Sequence, residues 1–260
     1  MINLKCGDCL KLMQDIPNES INMVLCDLPY GTTSCSWDTI IPFDKLWEQY
    51  NRIIKPDGVI VLFGSQPFTS LLINSNIKQF REEIIWLKNK SGSGLKAKQK
   101  HIKVHEEIIV FSKSGTYTYN PQKWLVDKKE FLTQRKTFKE IEIGNNIYSK
   151  MIKKQKIDDG TRNPISIVSV RVPFNTSYTK KYSPDVEVRL HPTQKPIVLL
   201  EYLIKTYSNE NDMVLDNCMG VGSTAIACMN IKRNFIGIEL DENYFNIAKS
   251  RINDLESKGE

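Results

Sequence analysis

Residues 214–239, VLDNCMGVGSTAIACMNIKRNFIGIE, limit what this chain can fold into more than any other stretch. Val214–Asp216 is a short apolar run, and Gly220-Val221-Gly222 breaks it into a tight turn. Ser223–Met229 places Ala225, Ile226 and Cys228 where a helix can pack on a sheet. Phe235–Ile238 is a second apolar run, closed by Glu239. Glycines at 220 and 222 let the backbone turn sharply and come close to a ligand. Gly222 lies three residues before Ala225, as in the GxGxx(G/A) dinucleotide fingerprint. An acid at the end of the following strand is placed to accept hydrogen bonds from a ribose. The stretch reads as half of a site for an adenosine-bearing cofactor, with the cofactor's identity open.

The rest of the chain repeats the alternation. Ile2–Lys5, Ile21–Cys26, Gly58–Phe63, Glu83–Leu87 and Glu107–Phe111 read as strands, which with the two above makes seven. Helices are expected over Cys9–Gln14, Phe43–Ile54, Pro67–Ile73, Ile197–Tyr207 and Tyr244–Leu255. The expected fold class is therefore α/β, a doubly wound, mostly parallel seven-stranded sheet. Such sheets bind ligands at the carboxyl ends of strands, near the point where strand order reverses. The loops at 27–31 and 216–223 each follow a strand directly, so they can share one crevice although nearly 190 positions separate them.

Charge divides the chain. Residues 88–189 hold 22 Lys and Arg against 10 Asp and Glu, a net of +12, while the whole chain of 260 residues carries only +6. A basic middle between acidic flanks suits a polyanion, although a merely solvated Lys-rich surface would look alike. Residues 112–189 lose the periodicity of the flanks and scatter aromatics among basic residues. They are expected to form an inserted, irregular lobe, with 1–111 and 190–260 making up the main domain.

Six cysteines are scattered through the chain, which fits reduced thiols in the cytoplasm better than a disulfide framework. Cys6-Gly7-Asp8-Cys9 has metal-ligand spacing, but no second pair completes a site, so no metal is expected. No apolar run approaches the roughly 20 residues that span a bilayer, and the N-terminus does not read as a signal peptide.

Asp27-Leu28-Pro29-Tyr30 carries the chemistry. Pro29 fixes its own φ and pushes Leu28 into an extended conformation, so the loop is rigid. The Asp27 carboxylate and the Leu28 carbonyl can then accept two hydrogen bonds from one amino group, and Tyr30 can stack on a planar base. Read alone, the tetrapeptide is more readily an ordinary turn with a capping Asp and a core Tyr; the glycine loop across the sheet reverses that.

DLPY resembles the (D/N/S)PP(Y/F/W) tetrapeptide of amino-group DNA methyltransferases, and DNCMGVGST resembles their DPFxGxGT cofactor loop. HPTQKP at 191–196 is similar to the segment that precedes that loop in the permuted, β-type order. GDCLKLM, IIWLKNKSGSG and HEEIIVFSK match further segments, so the likeness covers roughly 1–111 and 190–252. Two departures stand out: Leu28 replaces a Pro, and Asn217-Cys218 replaces Pro-Phe.

The resemblance implies a Rossmann-like methyltransferase fold and transfer of a methyl group from S-adenosylmethionine to a flipped-out base in double-stranded DNA. Asp27 in the first position favours adenine N6 over cytosine N4, and an amino group in RNA is the further alternative. Asp27, Leu28, Pro29 and Tyr30 would be catalytic. Asp8, Cys9, Asp27, Thr193, Lys195, Asp216, Asn217, Gly220, Gly222, Ser223, Thr224 and Glu239 would hold the cofactor. Lys88, Lys90, Lys96, Lys98 and Lys100 would meet DNA phosphates, with 112–189 reading the surrounding bases as a target-recognition lobe. The same likeness allows a homodimer.

Overall fold

A computed structural model describes residues 1–32, 38–88, 97–125, 161–171, 190 and 194–257. In chain order they form β1 (Ile2–Cys6), α1 (Cys9–Leu12), a 3-10 turn (Met13–Asp15), β2 (Ile21–Cys26), α2 (Phe43–Ile53) and β3 (Ile54–Gly64). There follow α3 (Phe68–Ser75), β4 (Phe80–Leu87), β5 (His105–Phe111), β6 (Trp124–Leu125), β7 (Thr161–Arg162) and β8 (Ile167–Ser169). Then come α4 (Ile197–Tyr207), β9 (Met213–Asp216), α5 (Ser223–Asn230), β10 (Asn234–Glu239) and α6 (Glu242–Glu256).

The described residues build one eight-stranded sheet in the order β1-β10-β9-β2-β3-β5-β4-β8. Every neighbouring pair is parallel except those of β5 with β3 and with β4. All seven expected strands are present. The count of seven is corrected to eight, because Ile167–Ser169 pairs alongside Ile85–Leu87 and extends the edge of the sheet. Three residues with one face exposed leave too short an alternation to be read from sequence.

Two apolar layers sandwich the sheet. Met23, Leu25, Val59, Val61 and Phe63 point to one face, where Leu199, Leu203, Ala225 and Ala248 bring α4, α5 and α6 against them. Val24, Cys26, Ile60 and Leu62 point to the other, covered from α1, α2 and α3 by residues such as Leu10, Leu46, Tyr50, Phe68 and Leu72. This alternation is the period of 2 expected of strands buried on both faces. Helix α2 supplies Leu46, Trp47, Tyr50 and Ile53 from one stripe, the spacing of a helix that packs on one side. Each such side chain contributes about 1.5–3 kcal/mol on burial.

Met1–Asn120 and Ser166–Glu260 form one compact unit and Pro121–Ile165 a second. Of the second, the described part is a short antiparallel ribbon in which Trp124 pairs with Arg162 and Leu125 with Thr161. Of the segment 112–189, residues 112–120 and 166–171 thus belong with the main unit.

Candidate active site

The order of strands reverses between β2 and β9. From β2 the chain crosses through α2 to β3 on one side, and from β9 it crosses through α5 to β10 on the other. Val24 pairs with Leu215, so Asp216 is level with Leu25 and Asp27 lies two residues further on along the neighbouring strand. A rise of about 3.3 Å per residue keeps the two loops within one crevice. The convergence expected from the chain pattern is what the sheet produces.

Leu28 is buried in the core layer beneath α2 and α3, which holds the tetrapeptide down. The Tyr30 hydroxyl donates to Asp27 Oδ1 at 2.7 Å. The Tyr30 ring stacks on Phe68 with centroids 4.8 Å apart and planes at 27°, so Phe68 covers one face of a residue that stays partly exposed. The amides of Gly31 and Thr32 each donate to Asp38 at 2.9 Å, which pins the far side of the loop.

Lys195, which stands just before α4, donates to Asp27 Oδ2 across 168 positions of sequence. Its ammonium also lies 3.5 Å from Glu106 Oε2 on β5 and 4.9 Å from the centre of the Phe63 ring. Lys88, at the end of β4, pairs with the other oxygen of Glu106 and stands 5.0 Å from the Trp86 ring centre. Asp27, Lys195, Glu106 and Lys88 therefore form an alternating row of charges with side chains between 8 % and 23 % exposed.

Burial raises the Asp27 pKa; Lys195 opposes that shift and Glu106 adds to it. For Lys195, burial works against the charge, but Asp27 and Glu106 outweigh it and the ammonium is held more firmly than usual. Burial would raise Glu106 as well, yet Lys195 and Lys88 together draw it below the ordinary carboxylate range.

Asp216 closes β9 as a buried carboxylate that accepts from the Cys218 amide at 3.1 Å and the Thr224 hydroxyl at 2.6 Å. Burial pushes its pKa up to about 6, against those hydrogen bonds. Gly220 has φ +53, and a Cβ there would meet nothing within 4 Å, so the loop presents open space at this residue. Its amide donates to Glu239 Oε2 at 2.7 Å, and the Asp241 amide donates to Oε1 at 2.8 Å. Gly222 is different. It caps α5 at φ +76 and packs so closely on α6 that a Cβ would lie 3.0 Å from that of Ala248.

Asp8 caps α1, accepting from the Leu10 and Lys11 amides, and the Gly7 amide donates to the Glu239 carbonyl at 2.8 Å. Asp8, Glu239, Gly220 and Asp216 therefore gather at the carboxyl ends of the neighbouring strands β1, β10 and β9. The Cys9 thiol hydrogen-bonds Cys218, which lowers its pKa. Ser223 and Thr224 are buried in the first turn of α5.

Asn217 is 2 % exposed, and its side-chain carbonyl accepts the Tyr50 hydroxyl at 2.5 Å. The polar departure from Pro-Phe is thus met by a polar partner from α2. Tyr50→Phe keeps the ring and leaves that carbonyl without its donor. The variant is expected to lose about 1–3 kcal/mol, or about 2–4 °C of thermal midpoint per kcal/mol, as read by calorimetry of the ligand-free chain.

Among the lysines expected at DNA, Lys98 and Lys100 are exposed on the segment before β5, whereas the Lys88 charge is paired with Glu106. Lys90, Lys96 and Thr193 lie outside the described residues. Sequence reasoning passed over Glu106, Asp38 and the Tyr50–Asn217 bond. Glu106 stood in a matched segment, HEEIIVFSK, but an acid inside a strand pattern carries no local sign of its partner.

A doubly wound sheet with two loops at its switch point, one glycine-rich and one bearing an aspartate, defines a nucleotide-binding enzyme of the Rossmann-like class. A family model described as "DNA methylase", for N6 and N4 methyltransferases, matches residues 21–250. The chain belongs to that DNA methylase family. It is 29 % identical to the Type II methyltransferase M1.MboII of Moraxella bovis, covering 96 % of this chain and 95 % of that protein. It is 28 % identical to the DNA adenine methyltransferase YhdJ of Escherichia coli, covering 95 % and 81 %. The crystal structure of the M1.HpyAVI-SAM complex shares the fold with a TM-score of 0.61 at 23 % identity, covering 96 % of this chain and all of that one. No helix among the described residues is long and apolar enough to cross a membrane.

Proposed function

We propose that this chain transfers the methyl group of S-adenosylmethionine to the N6 amino group of an adenine flipped out of double-stranded DNA. The observation that carries this reading is the placement of Asp27, on a rigid loop after β2, beside the glycine loop after β9. The residues at the glycine loop suit an adenosine-bearing group. The Glu239 carboxylate accepts from the amides of Gly220, Leu240 and Asp241, and with about four acceptor sites it can still accept from a ribose hydroxyl. Gly220 leaves open space where a side chain would otherwise project.

On this reading Asp8 and Cys9 border the adenine of the cofactor, Glu239 its ribose, and Asp216 with 220–224 its methionine part. Thr193 would serve the carboxylate; Lys195, which the resemblance would place there too, is paired with Asp27 and lies near Glu106 in the ligand-free fold and is assigned to them instead. When bound, S-adenosylmethionine supplies a methyl group on a positively charged sulfur.

The chain's part is positioning. The amino nitrogen of adenine is a poor nucleophile because its lone pair is delocalised into the ring. Asp27 and the Leu28 carbonyl would accept its two hydrogens, pull the nitrogen toward a tetrahedral geometry and aim the lone pair at the methyl group. The nitrogen gains a methyl and must then lose a proton, and the Asp27 carboxylate, its pKa raised by burial, is placed to take it.

Tyr30, steadied by Phe68, supplies the stacking face for the extruded base. Lys98 and Lys100, with Lys90 and Lys96, would neutralise phosphates. The 112–189 segment, basic and irregular in sequence, is proposed to read the target sequence. The reaction is proposed to take place in the cytoplasm, and pairing of two copies remains part of the proposal.

The family covers both N6 and N4 amino groups, which keeps cytosine N4 as the second reading. Incubation with methyl-labelled S-adenosylmethionine and duplex DNA from a strain lacking base methylation, followed by digestion to nucleosides, separates them. Label is expected in N6-methyl-2′-deoxyadenosine. Label confined to cytosine would overturn the adenine assignment.

A further inference from the structure

Asp27 faces a conflict in the ligand-free chain. Tyr30 donates to Oδ1 and Lys195 is paired with Oδ2; each oxygen keeps a lone pair, but the Lys195 charge seated on Oδ2 lowers the basicity of a carboxylate that the proposed reaction needs as acceptor of the amine's hydrogen. Glu106 offers a resolution. Its Oε2 is buried and, among the described residues, makes no hydrogen bond of good geometry, although Lys195 lies 3.5 Å away. Its other oxygen is fixed by Lys88, so the carboxylate is held in place. A buried acceptor at that distance from the ammonium offers Lys195 a second position.

We propose that Glu106 is a positioning residue that takes Lys195 from Asp27 when the target amine arrives, relieving Asp27 of that charge as it accepts the amino hydrogen. The inference rests on the methyl-transfer reading above. The exchange involves no covalent change and no net proton movement. Lys195 stays charged and paired in both positions, which avoids leaving an uncompensated cation in a buried site. The short reach is consistent with a lysine that pivots about its own stem. Lys88 makes Glu106 a weaker attractor than a lone carboxylate would be, so Asp27 keeps Lys195 until a competing donor arrives.

Glu106→Gln, in the full chain, removes the charge and keeps the shape. Turnover would be measured with saturating S-adenosylmethionine and genomic DNA from a strain lacking adenine methylation. We expect kcat to fall by about tenfold or more while KM for S-adenosylmethionine stays within about twofold, with Glu106→Asp recovering part of the loss. Unchanged kcat in Glu106→Gln would overturn the inference. So would parallel losses in kcat and in S-adenosylmethionine binding by calorimetry, which mean a structural role only. If the parent chain itself places no label in adenine, the proposed function fails and this inference fails with it. A parent chain that does so beside a fully active Glu106→Gln removes the inference alone.

Discussion

Asp27→Ala is expected to lower kcat by about 10²–10³-fold or more, the loss found when one fixed polar group is removed from a charge-developing centre. Affinity for S-adenosylmethionine should stay within a few-fold, because the glycine loop and Glu239 are untouched. The fold should survive, since Glu106 remains to pair with Lys195. Asp27→Asn keeps one carbonyl acceptor and should fall between the two. Single-turnover rates with labelled cofactor, beside calorimetric binding, check both claims. Near-parental turnover by Asp27→Ala would remove the residue from the mechanism.

A pH dependence follows from the same group. Burial raises the Asp27 pKa, so the carboxylate protonates at higher pH than the ordinary value of about 4. Transfer needs the ionised form, and kcat should therefore fall as pH drops through that raised value. Stability moves the other way on this group. The folded chain holds the Asp27 proton more tightly than the unfolded chain, so ionisation costs stability as pH rises through the same window. Asp216, at about 6, has the same sign for the same reason. An acid limb of kcat below about pH 4 would contradict the assignment.

The second large effect is expected at Gly222. A side chain at φ +76 costs about 1–2 kcal/mol, and forcing extra methyl groups into a packed contact costs about 1–3 kcal/mol more. The atoms met are Ala248 Cβ at 3.0 Å and its Cα at 3.4 Å, and the backbone of α6 cannot step aside as a flexible side chain would. Gly222→Val should therefore lose on the order of 2–5 kcal/mol and separate α6 from α5. Gly220→Ala makes the informative comparison. It pays only the φ term, because no atom lies within 4 Å of the added carbon, and so it should fold. That carbon would stand in the space assigned to the cofactor, so binding should weaken. Thermal unfolding and S-adenosylmethionine titration on both variants test the division. Loss of folding by Gly220→Ala, or normal stability of Gly222→Val, would reverse it.

The two glycines show how far a local pattern reaches. GVG with an alanine after it identified the loop, and both positions do carry positive φ. Their separate roles, one open and one packed on a helix 26 residues further on, came from the arrival of α6. Lys195 makes the same point with charge. Its presence in HPTQKP placed it near the cofactor's carboxylate, whereas the ligand-free fold brings it to the Asp27 carboxylate.

By itself the sequence determined seven strands, the helices between them, and the two loops that follow β2 and β9. These depend on near-neighbour physics: an apolar period, a proline's φ, a glycine's freedom to turn. The strand order that sets those loops side by side followed from a general property of alternating α/β chains. Only the tertiary structure decided the eighth strand, the Tyr50–Asn217 bond and the charge row from Asp27 through Lys195 and Glu106 to Lys88. A buried charge takes whichever opposite charge the fold brings within a few ångströms, and no spacing along the chain records that distance.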